Sequence, residues 1–200
     1  ALMSATGATS LLSRPGGKEE EEAIELASVP FAAGAAAPET VDIVEEGMRL
    51  TVDLSRGQKT GHYADQRENR RLVAELAAGA RMLDLHTGTG GFALRALRAG
   101  AASCEAVDSS GAALATARAN AAANGVAARL SLVEDDVLAR LEALGRAKAT
   151  FDLVVLDPPK LATTRPGLAR AMDLYKRLNV RALVRTEPGG ILATFSCSGL

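Results

Sequence analysis

The chain has 200 residues, of which 48% are hydrophobic and 24% are charged, so it is long enough to bury one substantial core and to carry a small appendage. Its 23 basic and 24 acidic side chains leave a net charge of −1, which excludes a protein whose whole surface attracts nucleic acid; such binding needs a local basic patch. Only 3% of the residues are aromatic and Trp is absent, so no aromatic stacking platform for single-stranded nucleic acid is expected.

Cysteine and histidine usage argues against a disulfide framework and against a metal centre. The cysteines are Cys104 and Cys197, and the histidines, His62 and His86, lack the spacing of metal ligands. The sequence shows no signal peptide and no long apolar segment. We therefore expect a cytoplasmic protein that binds neither a metal nor a membrane.

The N-terminal part divides into two predicted segments. Residues 1–40 are poorly patterned and contain the acidic run 18–22, which is typical of a solvated face. Residues 41–45 and 48–53 alternate apolar and polar side chains around Glu46 and Gly47, which predicts a β-hairpin within a small appendage, residues 41–56. The main domain is predicted over residues 57–200, and we expect it to be truncated at its C terminus.

A polar stretch opens this main domain and leads into a helix whose predicted apolar face is Leu72, Val73 and Leu76. Two interpretations stay open. The stretch is either an exposed loop with a charged first helical turn, or a place where a carboxylate or phosphate is held. The residues concerned are Lys59, Asp65, Gln66, Arg67, Arg70 and Arg71.

The stretch 82–92 predicts a ligand-binding turn, because an apolar strand (82–85) runs into Gly88, Gly90 and Gly91 and then into a helix (92–99). A second apolar strand (104–107) ends in Asp108 about 20 residues after the turn, where doubly wound nucleotide-binding folds place an acid against ribose hydroxyls. Asp84 lies at the start of the loop. It would repel a pyrophosphate but can face a cationic amine or sulfonium, so the charge favours S-adenosylmethionine over NAD.

Further strands and helices alternate along the rest of the chain, and the alternation predicts an α/β fold with a mostly parallel twisted sheet and helices on both faces. The predicted strands are 129–133, 151–156 and 191–195, and the predicted helices are 111–124, 137–144 and 168–185. Asp136 follows the third strand, where it either caps the next helix or accepts a hydrogen bond from an adenine amine. Ligands of such sheets bind at the carboxyl ends of the strands.

Two of these strand ends carry residues suited to covalent chemistry. The fourth strand runs into Asp157-Pro158-Pro159-Lys160, and the fifth ends in Ser196-Cys197-Ser198. Cys197 is a candidate nucleophile, because a thiolate that adds to carbon-6 of a pyrimidine activates carbon-5 toward a methyl donor. A base inside a duplex is inaccessible, so it must be unpaired or flipped out. Cys104 lies in mid-strand and is interpreted as inert packing.

In their joint order, the motifs 57–61, 65–67, 84–92, Asp108, Asp136, 157–160 and 196–198 resemble the class I S-adenosylmethionine-dependent rRNA cytosine-C5 methyltransferases of the large ribosomal subunit. The resemblance covers residues 41–200 and implies a Rossmann-like fold and an rRNA partner. It implies that Asp84 and the glycines hold the methionine end of the cofactor, Asp108 the ribose and Asp136 the adenine. It further implies that Asp157 binds the target base and that Cys197 is the nucleophile. The complete set of predicted cofactor residues is Asp65, Gln66, Arg67, Asp84, His86, Thr87, Gly88, Gly90, Asp108, Ser109 and Asp136; the predicted substrate residues are Lys59, Pro158, Pro159 and Lys160.

The sequence departs from that family in several places. Members usually begin with an RNA-binding PUA domain and continue past Ser-Cys-Ser with further strands. Here His62-Tyr63-Ala64 replaces two aromatics and a leucine, and His86 replaces Phe. Three alternatives remain: an rRNA guanine methyltransferase, a small-molecule methyltransferase, and a non-catalytic module that binds cofactor or RNA. Cys197 argues against the guanine family.

Overall fold

The computed structural model describes residues 6–13, 31–54, 61–161 and 167–196. The chain divides into two compact units, Ala1–Val41 with Val52–His62 and Asp42–Thr51 with Tyr63–Leu200. The division predicted from the sequence, into residues 1–40, 41–56 and 57–200, stays a prediction.

The first unit contains a small antiparallel pair, β1 (Ser10–Ser13) and β2 (Phe31–Gly34). Gly61, the last glycine of the motif 57–61, belongs to the same unit and has a φ of 85°. A Cβ at this position would lie 2.2 Å from the carbonyl oxygen of Asp53. Gly61 is therefore required both by its left-handed backbone and by the close approach of another part of the chain.

The second unit is built on a five-stranded sheet in the order β7-β6-β5-β8-β9, with every neighbouring pair parallel. The strands are β5 (Arg81–Leu85), β6 (Ser103–Asp108), β7 (Leu130–Glu134), β8 (Phe151–Leu156) and β9 (Thr186–Thr194). The helices are α1 (Arg67–Glu75), α2 (Gly91–Arg98), α3 (Gly111–Ala123), α4 (Val137–Arg146) and α5 (Leu168–Arg185). The predicted α/β fold is confirmed. Its strand order reverses at β5, so the loop after β5 lies where such sheets bind ligands.

The sheet separates two cores because successive side chains of a strand point to opposite faces. On β5, Met82 packs with the helices α1, α2 and α3, whereas Leu83 and Leu85 pack with α4 and α5. Asp84 has the same parity as Met82, so its carboxyl group lies on the face covered by α2. Strands buried on both faces are typical of parallel sheets covered by helices.

The predicted hairpin is present as β3 (Thr40–Glu45) and β4 (Met48–Asp53), which pair as a two-stranded sheet. Its two turn residues, Glu46 and Gly47, have φ values of 47° and 77°. Positive φ at both central positions is the mark of a type I′ turn, whose twist matches that of the flanking strands.

Two asparagines, Asn120 in α3 and Asn124 at its C-cap, hydrogen-bond to the backbone of β4 much as a neighbouring strand would. Asn120 Oδ1 accepts from the Thr51 amide at 2.8 Å, and its Nδ2 donates to the Thr51 carbonyl at 3.3 Å. Asn124 repeats the pattern on Arg49, with distances of 3.0 and 2.6 Å. Because the asparagines are one helical turn apart, they match two residues of one strand face.

The predicted apolar face of α1 is wrong in part. Val73 is buried, but Leu72 and Leu76 are 49% and 51% exposed, and the buried face of the helix includes Arg70 and Ala74 instead. The charge of Arg70 is neutralised by Glu45, so a guanidinium can lie on the buried face of the helix, where leucines were expected. The fifth strand also differs, since β9 begins at Thr186, five residues earlier than predicted, with an irregular register opposite 151–153.

Candidate cofactor and substrate site

The glycine loop after β5 is closed by backbone bonds and begins α2. The Thr87 amide donates to the Val107 carbonyl at 3.0 Å, and the Gly90 amide donates to the Thr87 carbonyl at 2.9 Å. Gly90 caps α2 in the left-handed region, with a φ of 87°, and a Cβ there would lie 3.2 Å from the Cβ of Ala117. Gly88 also has positive φ, but no atom of the described residues lies within 4 Å of the position of its absent Cβ. A Cβ at position 88 would therefore meet open space, whereas a Cβ at position 90 would press against Ala117.

Asp84 is fully buried beneath this loop. Its Oδ2 accepts hydrogen bonds from the Thr87 hydroxyl at 2.6 Å and from the Ala93 amide at 3.1 Å. Its Oδ1 has no hydrogen-bond partner among the described residues. Burial raises the pKa of Asp84 from 3.8 to about 7, against those two hydrogen bonds and with support from the charges of Asp157 and Asp108. One oxygen thus holds the loop together, and the other is a buried acceptor without a partner among the described residues.

His86 follows β5 in a left-handed conformation, with a φ of 62°, which is uncommon for a residue with a side chain. Its Nε2 is buried and has no hydrogen-bond partner within the described parts of the chain. Burial lowers the pKa of the imidazole, opposed by the charges of Asp108 and Asp136, so the site favours the neutral ring. A strained residue with an unpaired buried nitrogen is typical of a functional position.

Asp108 joins the loop to the end of β6. Its Oδ2 accepts from the Gly88 amide at 2.8 Å, and its Oδ1 accepts from the Ser110 amide at 2.9 Å. The carboxylate is half-buried, and each oxygen retains capacity for a further hydrogen bond. The adjacent Ser109 is exposed. Asp108 therefore fixes the loop and can also accept from hydroxyl groups.

Asp136 is the N-cap of α4, because its Oδ1 accepts from the Ala139 amide at 3.0 Å. One of the two roles expected from the sequence, capping of the helix, is therefore observed. Asp136 is also exposed at the carboxyl edge of the sheet, so a cap does not preclude a contact with a ligand. Its predicted contact with adenine stays a prediction.

In the segment 65–67, Asp65 and Gln66 lie in a single 3-10 turn, Ala64–Gln66, and Arg67 is the first residue of α1. Asp65 and Arg67 are exposed, whereas Gln66 is half-buried and its Oε1 accepts from Asn69 Nδ2 at 2.6 Å. The turn is therefore structured, and it presents charged side chains rather than burying them. Lys59 lies outside the described residues.

The ends of β8 and β9 are neighbours, as the substrate prediction requires. Leu156 is the register partner of Thr194, and the Phe195 amide donates to the Leu156 carbonyl at 2.9 Å. Asp157 therefore follows β8 directly, and Ser196 lies two residues beyond the end of the adjacent strand β9. Pro158 is buried, and Pro159 and Lys160 are exposed. Cys197 lies outside the described residues.

Several residues around the site were missed by the sequence analysis. Phe195 stacks on Phe92 with ring centroids 5.0 Å apart, which ties the end of β9 to the first turn of α2. Arg70 forms a buried ion pair with Glu45 beside the same helix. Arg70 was noted only as part of a polar stretch, and no local pattern signals either contact, because the partners are far apart in the chain.

The described residues fit a ligand that carries a cationic amine and hydroxyl groups. Asp84 Oδ1 supplies a buried acceptor, Asp108 supplies exposed acceptor capacity, and Gly88 leaves open space at the loop. The same residues contain no group of three or more side chains able to hold a metal ion. Nor does any helix among them have the length and hydropathy needed to span a membrane.

Comparison with curated proteins finds relatives that are longer than this chain. Ribosomal RNA large subunit methyltransferase I of Shewanella denitrificans is 46% identical over 159 residues, which is 79% of this chain and 40% of the relative. The enzyme of the same name from Klebsiella pneumoniae is 40% identical over 182 residues, or 90% of this chain and 45% of the relative. The chain thus spans less than half the length of these relatives.

Solved structures share the fold. The crystal structure of SMU.776 complexed with SAH has a TM-score of 0.73 and 28% identity, covering 85% of this chain and 45% of that one. An S-adenosylmethionine-dependent methyltransferase from Agrobacterium tumefaciens has a TM-score of 0.77 over 98% of this chain and 62% of that chain, but at 17% identity it supports the fold alone.

A family model described as S-adenosylmethionine-dependent methyltransferase matches residues 27–198, which is most of the sequence. This match confirms the cofactor predicted from the acid and the glycines around the loop. The chain belongs to the S-adenosylmethionine-dependent methyltransferase family.

Proposed function

We propose that this chain methylates carbon-5 of a cytosine in large-subunit rRNA through a covalent adduct with Cys197. The observation that carries the proposal is the register of β8 and β9, which brings Asp157 and the strand that leads to Cys197 side by side. The names of the curated relatives, ribosomal RNA large subunit methyltransferase I, support an rRNA substrate.

The cofactor would be held at the loop after β5. We propose that Asp84 Oδ1 faces its amine and that Asp108 accepts from its ribose hydroxyls. Thr87, Gly88 and Gly90 would shape the loop, and His86, Ser109, Asp136 and the segment Asp65, Gln66, Arg67 would complete the site. S-adenosylmethionine supplies the methyl group when it is bound. An ionised Asp84 would suit a cationic amine, because opposite charges attract strongly where water is excluded.

The substrate base would lie between Asp157 and Cys197. The Cys197 thiolate adds to carbon-6 of the cytosine, and electron density moves onto carbon-5, which becomes the nucleophile. After carbon-5 is methylated, loss of its proton expels the thiolate and restores the ring. Asp157 would hold the edge of the base, while Pro158, Pro159, Lys160 and Lys59 would border it. The base must be unpaired or flipped out to reach these residues.

Cofactor binding is tested by isothermal titration with S-adenosylhomocysteine. We expect saturable binding to the wild type and a loss of at least about tenfold in affinity for Asp108→Asn, which keeps one acceptor for the loop but removes the charge. Asp152→Asn, at an exposed carboxylate of β8, is the control and should bind like the wild type. A folded wild type that binds no S-adenosylhomocysteine would contradict the proposal.

The covalent route is tested by release of tritium from carbon-5-labelled cytosine in unmodified rRNA. We expect Cys197→Ala to abolish tritium release and methyl transfer while S-adenosylhomocysteine binding stays within about twofold, because the thiol acts on the base and not on the cofactor. Cys104→Ala is the matched control, since Cys104 is buried in β6 and should be needed only for packing. Undiminished tritium release by Cys197→Ala would sink the covalent mechanism. Methylation of RNA without tritium release would favour the guanine alternative instead.

A further inference from the structure

Arg70 is a buried cation at the border of the proposed cofactor site. It lies on the first turns of α1, and its side chain is only 4% exposed. Its Nε and Nη2 donate to the two carboxylate oxygens of Glu45 at 2.9 and 2.6 Å. A charge in such a position is retained only where it is paired, and the two-pronged geometry fixes the plane of the guanidinium.

The same guanidinium holds the turn that carries Asp65 and Gln66. Arg70 Nη1 donates to the Tyr63 carbonyl at 3.0 Å, and that carbonyl also accepts from the Gln66 amide at 3.1 Å. The Asn69 side chain donates to Gln66 Oε1, so the turn 63–66 is held near both of its ends. Its position therefore depends on where Arg70 is placed.

The side chain of Arg70 also rests against the first residue of α2. A Cβ on Gly91 would lie 3.1 Å from Arg70 Cδ and 3.7 Å from Nε. Gly91 does not have positive φ, so backbone conformation does not account for a glycine there. The close approach of Arg70 does account for it. Arg70 is thus in contact with both the turn 63–66 and the helix α2, which begins at the end of the glycine loop.

We propose that Arg70 is a positioning residue of the cofactor site, whose guanidinium, oriented by Glu45, sets the turn 63–66 against the glycine loop. The inference rests on the proposed function, because it assumes that the loop and the turn hold the cofactor. Arg70 acts through the turn and the helix, and it makes no contact with the reacting atoms. The ion pair of Arg70 and Glu45 thus adds to the site two residues that belong neither to the glycine loop nor to the acids at the strand ends.

The chain offers a matched control for this pair. Arg140 of α4 forms the same two-pronged ion pair with Glu105 of β6, at 2.8 and 2.7 Å, and among the described residues its side chain has no hydrogen bond to the glycine loop. A purely structural ion pair and a positioning ion pair can therefore be compared within one protein. The comparison needs two readouts, the thermal unfolding temperature and the dissociation constant for S-adenosylhomocysteine.

The test is isothermal titration with S-adenosylhomocysteine, at a temperature where every variant is folded. We expect Glu45→Gln and Arg70→Lys to weaken binding about tenfold or more, and Gly91→Ala, which displaces Arg70 while keeping every charge, to weaken it by a smaller factor. Glu105→Gln and Arg140→Lys should lower the unfolding temperature but keep the dissociation constant within about twofold of the wild type. In a methyl-transfer assay, Arg70→Lys should raise the KM for S-adenosylmethionine more than it lowers kcat.

The outcomes separate this inference from the function on which it rests. If the wild type binds S-adenosylhomocysteine and Arg70→Lys binds it equally well, Arg70 is not a positioning residue and the proposed function stands. Equal losses of affinity in the Glu45 and Glu105 variants would also overturn the inference, as would an Arg70→Lys variant that cannot fold. A wild type that binds no S-adenosylhomocysteine would overturn both proposals.

Discussion

Asp84 is a carboxylic acid that the fold buries completely, and burial raises its pKa from 3.8 to about 7. Between those two pH values the folded chain binds more protons at this residue than the unfolded chain does. The contribution of Asp84 to the free energy of unfolding is therefore present at low pH and lost as the pH rises toward 7. The residue that shapes the loop thus makes the protein less stable at neutral pH.

We expect the free energy of unfolding of the wild type, relative to that of Asp84→Asn, to fall by up to about 1.4 kcal/mol per pH unit between about pH 4 and about pH 7. Urea denaturation of both proteins across this range measures the difference. Asp173→Asn, at an exposed position of α5, is the control and should leave the pH dependence of the wild type unchanged. A constant difference between the wild type and Asp84→Asn would show that Asp84 titrates normally.

Gly88 and Gly79 allow backbone strain to be separated from ligand contact. Both have positive φ, 55° and 73°, and for neither does an atom in the described parts of the chain lie within 4 Å of the absent Cβ. Alanine at either position should lower the free energy of unfolding by about 1 to 2 kcal/mol, because a residue with a Cβ is disfavoured in the left-handed conformation at both positions. Only Gly88→Ala should weaken S-adenosylhomocysteine binding, because its methyl group enters the space beside the loop. Titration calorimetry and urea denaturation of both variants check this, and equal affinities would place the ligand elsewhere.

At the scale of elements, the strand β4 pairs with β3 and is also held by two asparagine side chains at the end of α3. Asn120 is 2% exposed and pairs with both backbone groups of Thr51. We expect Asn120→Ala to lower the free energy of unfolding by about 2 to 4 kcal/mol, because it leaves the amide and the carbonyl of the half-buried Thr51 without these partners. Asn124→Ala should cost less, since Asn124 is more exposed and water can replace its bonds. Urea denaturation ranks the two variants, and the reverse order would contradict this account.

At the scale of the whole molecule, the helix α5 buries one side and carries large exposed apolar side chains on another. Met172, Val180, Leu183 and Val184 are between 52% and 63% exposed on this helix. Exposed apolar side chains that lie close together bind hydrophobic dyes, and Val180, Leu183 and Val184 are within about one turn of one another. We expect Val184→Glu to reduce the fluorescence of 1-anilinonaphthalene-8-sulfonate with the native protein more than Val44→Glu does. Val44 is 72% exposed on the hairpin, so an equal effect of the two substitutions would argue against a face specific to α5.

The sequence predicted the local features of the site well. The strand β5, the glycine turn and the helix α2 were expected from an apolar run, three glycines and a closing Gly100, and they are present with shifts of at most one residue at their ends. The fifth strand was less well predicted, because it begins at Thr186, before Pro188, Gly189 and Gly190, which indicated a turn. Thr186 and the residues from Ile191 to Thr194 have register partners on β8, and the residues between them form an irregularity that a local pattern does not reveal.

The sequence by itself determined which elements form and which acids follow the strands, because hydrophobic period and glycine conformation act over a few residues. Only the tertiary structure decided which strands are neighbours, and hence that the end of β8 lies beside the end of β9. It also decided that Arg70 is buried against Glu45, that Asn120 pairs with Thr51, and that one oxygen of Asp84 lacks a partner within the described chain. These properties depend on groups far apart in the chain, whose charges, burial and hydrogen bonds exist only once the sheet and its helices are assembled.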